Sequence, residues 1–221
     1  MPDYNIIYKE ASAVLVGSFN PAIFHPEWLA RHNLIPSDDL KGQKVEIVHQ
    51  DISKFSLEWL GIDVLRNKFI ARTNDSSKFV PLRDLVISIF KILDHTPVKQ
   101  LGMNLIVDYE ITNQDDWHKI GDVLAPKDIW AKCLPERIGL KSLTVQSPRK
   151  DELEGYIQVS IGPTKLNKFQ VRMNINNHVE LELKKKEIKL NPSDVVAENW
   201  DLAIDLAEKI AEKTIKEAIE S

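Results

Sequence analysis

Asn67–Asn74 reads NKFIARTN, and a hundred residues later Asn167–Asn174 reads NKFQVRMN; five of the eight positions are identical. Each copy is amphipathic with the period of a strand that buries one face. Working outward from the first copy, a tight turn at Arg66-Asn67 joins Phe69, Ala71 and Thr73 to an extended stretch from Phe55 through Leu57, Trp59, Ile62 and Val64, which predicts a hairpin. Further upstream, Ser12–Phe19 (SAVLVGSF) is a β-branched apolar run and reads as a first strand. Asn20-Pro21 breaks it. His25–Asn33 then suits a short helix with Pro26 in its first turn, Pro36–Gly42 is turn-rich, and Val45, Ile47 and His49 alternate as another strand. Downstream of the copy, Asp75–Lys78 is loop. Leu82, Leu85, Val86, Ile89 and Leu93 recur on one face of a helix that begins at Pro81. That helix stops at His95-Thr96-Pro97, because the residue before a proline is pushed out of the helical region.

The surroundings of the second copy follow the same order. Leu101, Met103, Leu105, Val107, Tyr109 and Ile111 alternate without a fault, and Asn113–Leu124 predicts a helix capped by Asn113 or Asp115. A short helix over Pro126–Leu134 carries Trp130. Strands follow at Leu140–Gln146, Gly155–Ile161 and Phe169–Ile175, the last with an extension through Val179–Leu183. A long helix from about Ser193, capped by Ser193 or Asp194, presents Trp200, Ala203, Ile204, Ala207, Ile210, Ala211 and Ile215 as one stripe. Trp28 and Trp117 hold comparable places in the two series. The fold class is therefore expected to be α+β, an internally duplicated antiparallel sheet with helices on one face. Its halves are residues 1–97 and 98–221, sharing one continuous sheet and core. Two architectures fit this order. One is a TATA-binding-protein-like saddle; the other is a helix-grip fold whose sheet closes around a ligand and the C-terminal helix. Neither analogy carries a function.

The 221 residues are 43% hydrophobic and 28% charged, ordinary values for a globular chain. A net charge of −4 argues against a dedicated duplex-DNA binder, though not against a local basic patch. No stretch approaches the roughly 20 apolar residues that cross a bilayer, so no membrane association is expected. The first residues, MPDYNIIYKE, lack the basic-then-apolar order of a signal peptide. The single cysteine, Cys133, leaves no intrachain disulfide and fits a reducing compartment, so the cytoplasm is expected.

Local chemistry is sparse. The histidines His25, His32, His49, His95, His118 and His178 include no zinc-protease pair, and no metal or cofactor is expected. Asp115-Asp116-Trp117-His118 gathers acid and base groups within one turn, but carboxylates in a first turn also complement the helix dipole. Cys133 reads as a packing residue rather than a nucleophile. Gly139, Gly155 and Gly162 sit at strand ends and form no phosphate loop. Lys184–Lys186 and Lys189, with Arg149 and Lys150 nearby, have Glu180, Glu182 and Glu187 interleaved, as on the solvated end of an edge strand. The sharpest functional signal is the matched pair of cations within each copy: Lys68 and Arg72, then Lys168 and Arg172. On the open face of a saddle they would present a symmetric strip to nucleic acid or to an acidic partner.

Two stretches, His95–Trp130 (HTPVKQLGMNLIVDYE followed by DDWHKIGDVLAPKDIW) and Pro135–Leu140 (PERIGL), carry a resemblance that extends to SFNPAIFHPEW and most of the chain. The sequence resembles a family of bacterial proteins in which LGxN precedes a strand and a W…GDxLAPK…W segment follows. No activity is assigned to that family, so the resemblance implies a bacterial, cytoplasmic origin and no site residue. The reading is a non-enzymatic subunit or adaptor of a bacterial assembly, acting through a protein partner. Nucleic-acid binding on the sheet face is the alternative, and an apolar small-molecule pocket beside the C-terminal helix the third. A homodimer is compatible with the long amphipathic helices.

Overall fold

The structure is a computed structural model that describes residues 4–135, 138–164, 169–183 and 188–221. Its strands are β1 (Tyr4–Gly17), β2 (Lys44–Val48), β3 (Ile52–Ser56), β4 (Gly61–Leu65), β5 (Lys68–Thr73), β6 (Val98–Ile111), β7 (Leu143–Pro148), β8 (Gly155–Pro163), β9 (Gln170–Glu180), β10 (Glu182–Leu183) and β11 (Ile188–Lys189). Its helices are α1 (Pro26–Arg31), α2 (Phe79–Ile92), α3 (Gln114–Leu124) and α4 (Pro192–Glu220). The first nine strands form one antiparallel sheet in the order β2-β3-β4-β5-β1-β6-β9-β8-β7, and β10 pairs with β11. The chain is thus mixed helix and strand, built on a large antiparallel sheet with helices packed on it.

Side-chain period sorts the two faces. Ala11, Ala13 and Leu15 on β1, Phe69 and Ala71 on β5, Leu101, Met103, Leu105 and Val107 on β6, and Met173 and Ile175 on β9 are all buried, and all share one face. Against that face lie α2, touching β1 and β5, and α4, touching β6 and β9; α3 contacts both β6 and α4. The small residues Ala203, Ala207 and Ala211 bring α4 close to its neighbours, and Trp200, 1% exposed, fills the space near its start. Phe19, Phe24, Phe69 and Phe90 meet in an aromatic cluster with ring centroids 5.2–6.2 Å apart, which ties β5 to α2 and to the turn before α1. The alternate residues of the central strands lie on the other face, on which no described helix packs.

Several boundaries differ from the sequence reading, each for a local reason. The first strand begins at Tyr4, eight residues before Ser12, and its pairing with β6 slips between Ile6 and Tyr8. A bulge there shifts the side-chain period, so YNIIYKE does not alternate cleanly. The stretch read from Phe55 to Val64 is two strands. The Leu57 amide donates to the Leu60 carbonyl at 2.8 Å, and both leucines are buried in the turn, which hides the break behind an apolar run. Pro126–Leu134 holds only a short 3-10 turn at Trp130–Lys132, with Ile129 and Trp130 exposed; they find no core face to bury. The cap of α4 is Asn191, whose Oδ1 accepts from the Ser193 amide at 2.9 Å, two residues before the candidate Ser193 and three before Asp194. Cys133, expected to pack, is exposed, because it follows that same unanchored turn. The helix at α3 is capped by Asn113 as one of the two readings had it.

Candidate functional site

The helix-free face of the sheet holds a cleft of about 500 Å³ that crosses β5, β1, β6, β9 and β8. Strand period places its lining, since even-numbered residues of β1, β5 and β6 point away from the helices. Toward β5 and β1 the floor is apolar, with Val14, Val16 and Ile70; toward β6, β9 and β8 it is dominated by Asn104, Asn174, Asn176 and Gln158. Tyr156 stacks on His178 at 4.4 Å between centroids and 18° between planes, and the His178 ring nitrogen sits 3.1 Å from Glu180.

Of the four matched cations, Lys68 and Arg72 line this cleft, Arg172 sits at its end, and Lys168 lies outside the described residues. The two arginines occupy similar surroundings. Arg72 stands opposite Ser12 on one side and Gly61 on the other; Arg172 stands opposite Asp108 and Gly162. A side chain at Gly61 would lie 3.1 Å from the Arg72 Nε, so the guanidinium stem rests in the space that glycine leaves.

Both arginines are ion-paired. Arg72 bonds Asp63, and Arg172 grips Asp108 with two bonds of 2.7 and 2.6 Å. Asp108 is 5% exposed, and its hydrogen bonds hold the Arg172 guanidinium above its usual value. Between the pairs, the Tyr8 hydroxyl donates to Glu10 at 2.7 Å, and Arg172 lies 5.8 Å over the Tyr8 ring. The expected basic strip is therefore a belt of alternating sign. Arg72 is paired with Asp63 and Arg172 with Asp108, while Lys68 and Glu10 line the cleft at opposite ends of the β1–β5 pairing.

At the centre of the cleft Asn104 on β6 is the register partner of Asn176 on β9. Both side chains crowd over Gly102, where an added Cβ would lie 3.0 Å from Asn176 Oδ1 and 3.3 Å from Asn104 Oδ1. Each of these amide oxygens is buried without a hydrogen-bond partner among the described residues, a costly arrangement. Sequence reasoning passed over this amide cluster. The signal was present as polar residues at alternate positions, Gly102 and Asn104, then Asn174, Asn176 and His178, opposite the buried ones used to identify the strands.

The remaining sequence candidates take structural places. Asn113 caps α3 by accepting from the Asp116 amide at 2.8 Å, which accounts for Asp116 in the first turn. Arg149, read as a surface cation, is a buried brace bonded to Asp151 and Asn177. His25 caps α1 through its ring nitrogen, at 3.2 Å from the Trp28 amide. The Lys184–Lys186 run lies outside the described residues, and Lys189 is exposed on β11. Among the described residues no group of three or more His, Cys, Asp or Glu side chains is placed to hold a metal ion. No described helix is long and apolar enough to cross a membrane.

The fold and face define a mixed α+β chain with an open sheet surface that no described helix covers. No protein-family model matches it, and no curated protein matches it. Among solved structures it is similar to DynU16, a protein from the dynemicin biosynthetic locus, at 10% identity over 99% of this chain and 100% of that one. The TM-score is 0.28, and a likeness at that level carries no argument about fold or function.

Proposed function

We propose that this chain is a non-enzymatic subunit or adaptor of a bacterial cytoplasmic assembly and that it receives a protein partner on the open face of its sheet. The observation that supports this is the composition of the cleft. An apolar floor at Val14, Val16 and Ile70 adjoins an amide cluster, and the arginines Arg72 and Arg172 are already ion-paired within the chain. Protein interfaces favour such a surface, apolar and charge-poor at the centre with hydrogen-bonding groups around it. A phosphate backbone would gain little from guanidiniums that Asp63 and Asp108 already hold. The exposed Asn174 and the half-buried Gln158 offer hydrogen-bonding amides to a protein partner. The same reading treats residues 1–97 and 98–221 as two copies of one unit that form a TATA-binding-protein-like saddle. Its support is that Arg72 and Arg172, in the two recurring octapeptides, each stand opposite a glycine on the next strand out.

The test isolates tagged protein from its own host at low salt, with and without nuclease, beside the variants Gln158→Arg and Asn174→Arg. A protein partner should survive nuclease and fall at least tenfold in both variants, whose melting temperatures should match the parent. Elution without a partner, or capture unchanged in both variants, overturns the proposal. Loss of all bound material with nuclease would transfer the face to nucleic acid.

A further inference from the structure

A second cavity, of about 620 Å³, lies under α3 and shares no lining residue with the open-face cleft. Its walls are Trp117, Ile120 and Gly121 of α3, Leu140 of the following segment, and Pro163 and Val171 at the paired ends of β8 and β9. The cavity opens to solvent beside Gln114, His118, Gly139 and Pro163, which are exposed. The volume falls within the range of small-molecule sites, roughly 300–1,000 Å³.

Gly121 supplies an independent observation. Glycine inside a helix costs stability relative to alanine, so it needs a reason. Close packing is not that reason, because a Cβ at Gly121 would meet only the Leu140 Cβ, at an ordinary contact distance of 3.6 Å. Nor is backbone conformation, since Gly121 lies in regular helix and is absent from the positive-φ glycines. What the missing side chain leaves is free volume in the cavity wall.

The polar groups at the cavity set the class of ligand. Lys127 is the one cation among the described lining residues, and it is already paired with Asp122. His118 and Gln114 contact each other at 3.2 Å and offer hydrogen-bonding groups on the exposed side of α3. A charged ligand would be desolvated there without a free counter-charge. We infer that the cavity under α3 binds an uncharged, predominantly apolar small molecule whose single polar end meets His118 and Gln114. The site does not depend on the partner-binding reading, and it lies beside α3 rather than beside the C-terminal helix.

The probe is N-phenyl-1-naphthylamine, a neutral apolar dye that fluoresces on leaving water, titrated into the full chain. Saturable fluorescence is expected, with quenching of tryptophan emission that weakens in Trp117→Phe. Gly121→Leu and Leu140→Trp fill the cavity from two adjoining positions and should each weaken dye binding at least tenfold, whereas Asn174→Arg on the open face should leave it unchanged. Gly121→Ala should raise the melting temperature and retain binding. Leu140→Trp lies outside the helix, so it decides the matter if Gly121→Leu does not fold. Absence of saturable binding, or an affinity within twofold of the parent in the folded blocking variants, overturns the inference.

Discussion

Tyr8 stands at the middle of the charged belt, its hydroxyl bonded to Glu10 and its ring beneath Arg172. Burial, then the Glu10 hydrogen bond, pushes its phenol from the ordinary value of 10 up to about 12. A group whose folded pKa is raised stabilises the fold fully below its unfolded pKa, and that contribution is lost as pH rises through the folded value. The window here is therefore pH 10 to about 12. Tyr8→Phe should be less stable than the parent near pH 8, and the gap should narrow between pH 10 and 12. Denaturant melts at pH 9 and pH 11.5 check this; a gap of constant size would show that the phenol does not titrate against the belt. At this scale the sequence located Arg72 and Arg172 but not the carboxylates that pair with them. Asp63 is nine residues from Arg72, and Asp108 is sixty-four from Arg172. Only strand pairing brings them together.

At the scale of elements, helices were more legible than strands because their evidence is local. The apolar stripe of α4 and the Asn113 cap of α3 follow from spacings of three or four residues. Trp200 is the anchor of α4, fully enclosed between helix and sheet, so Trp200→Ala should cost about 3–5 kcal/mol in chemical denaturation, as large cavities in cores do. A loss below about 1 kcal/mol would mean that α4 is held elsewhere along its length. The missed boundaries, at the β1 bulge and the Leu57–Leu60 turn, share one cause. Bulges and buried turns are specified by the neighbouring strand, which is distant in sequence or is masked by apolar side chains.

Across the whole molecule, the sheet ends in two exposed edges, β2 and β7. All five residues of β2 are exposed, including Val45, Ile47 and Val48, so its free backbone edge lies among β-branched apolar side chains. Such an edge invites a further strand unless charge discourages it; here Lys44 and Glu46 are the only charges on the strand. Ile47→Lys should abolish any concentration-dependent self-association seen by sedimentation velocity while leaving the open-face cleft intact. Association unchanged in that variant would place the contact on another surface.

The amino-acid sequence by itself determined the alternation of β5 and β6, the apolar stripes of α2 and α4, and the helix that Asn113 caps, because periodicity and capping act within a few residues. The tertiary structure alone decided strand order, the pairing of each arginine with its carboxylate, the amide pair over Gly102 and the cavity beside Gly121. These depend on which strands become neighbours, and burying the apolar face of a nine-stranded sheet under α2, α3 and α4 settles that for the whole chain at once.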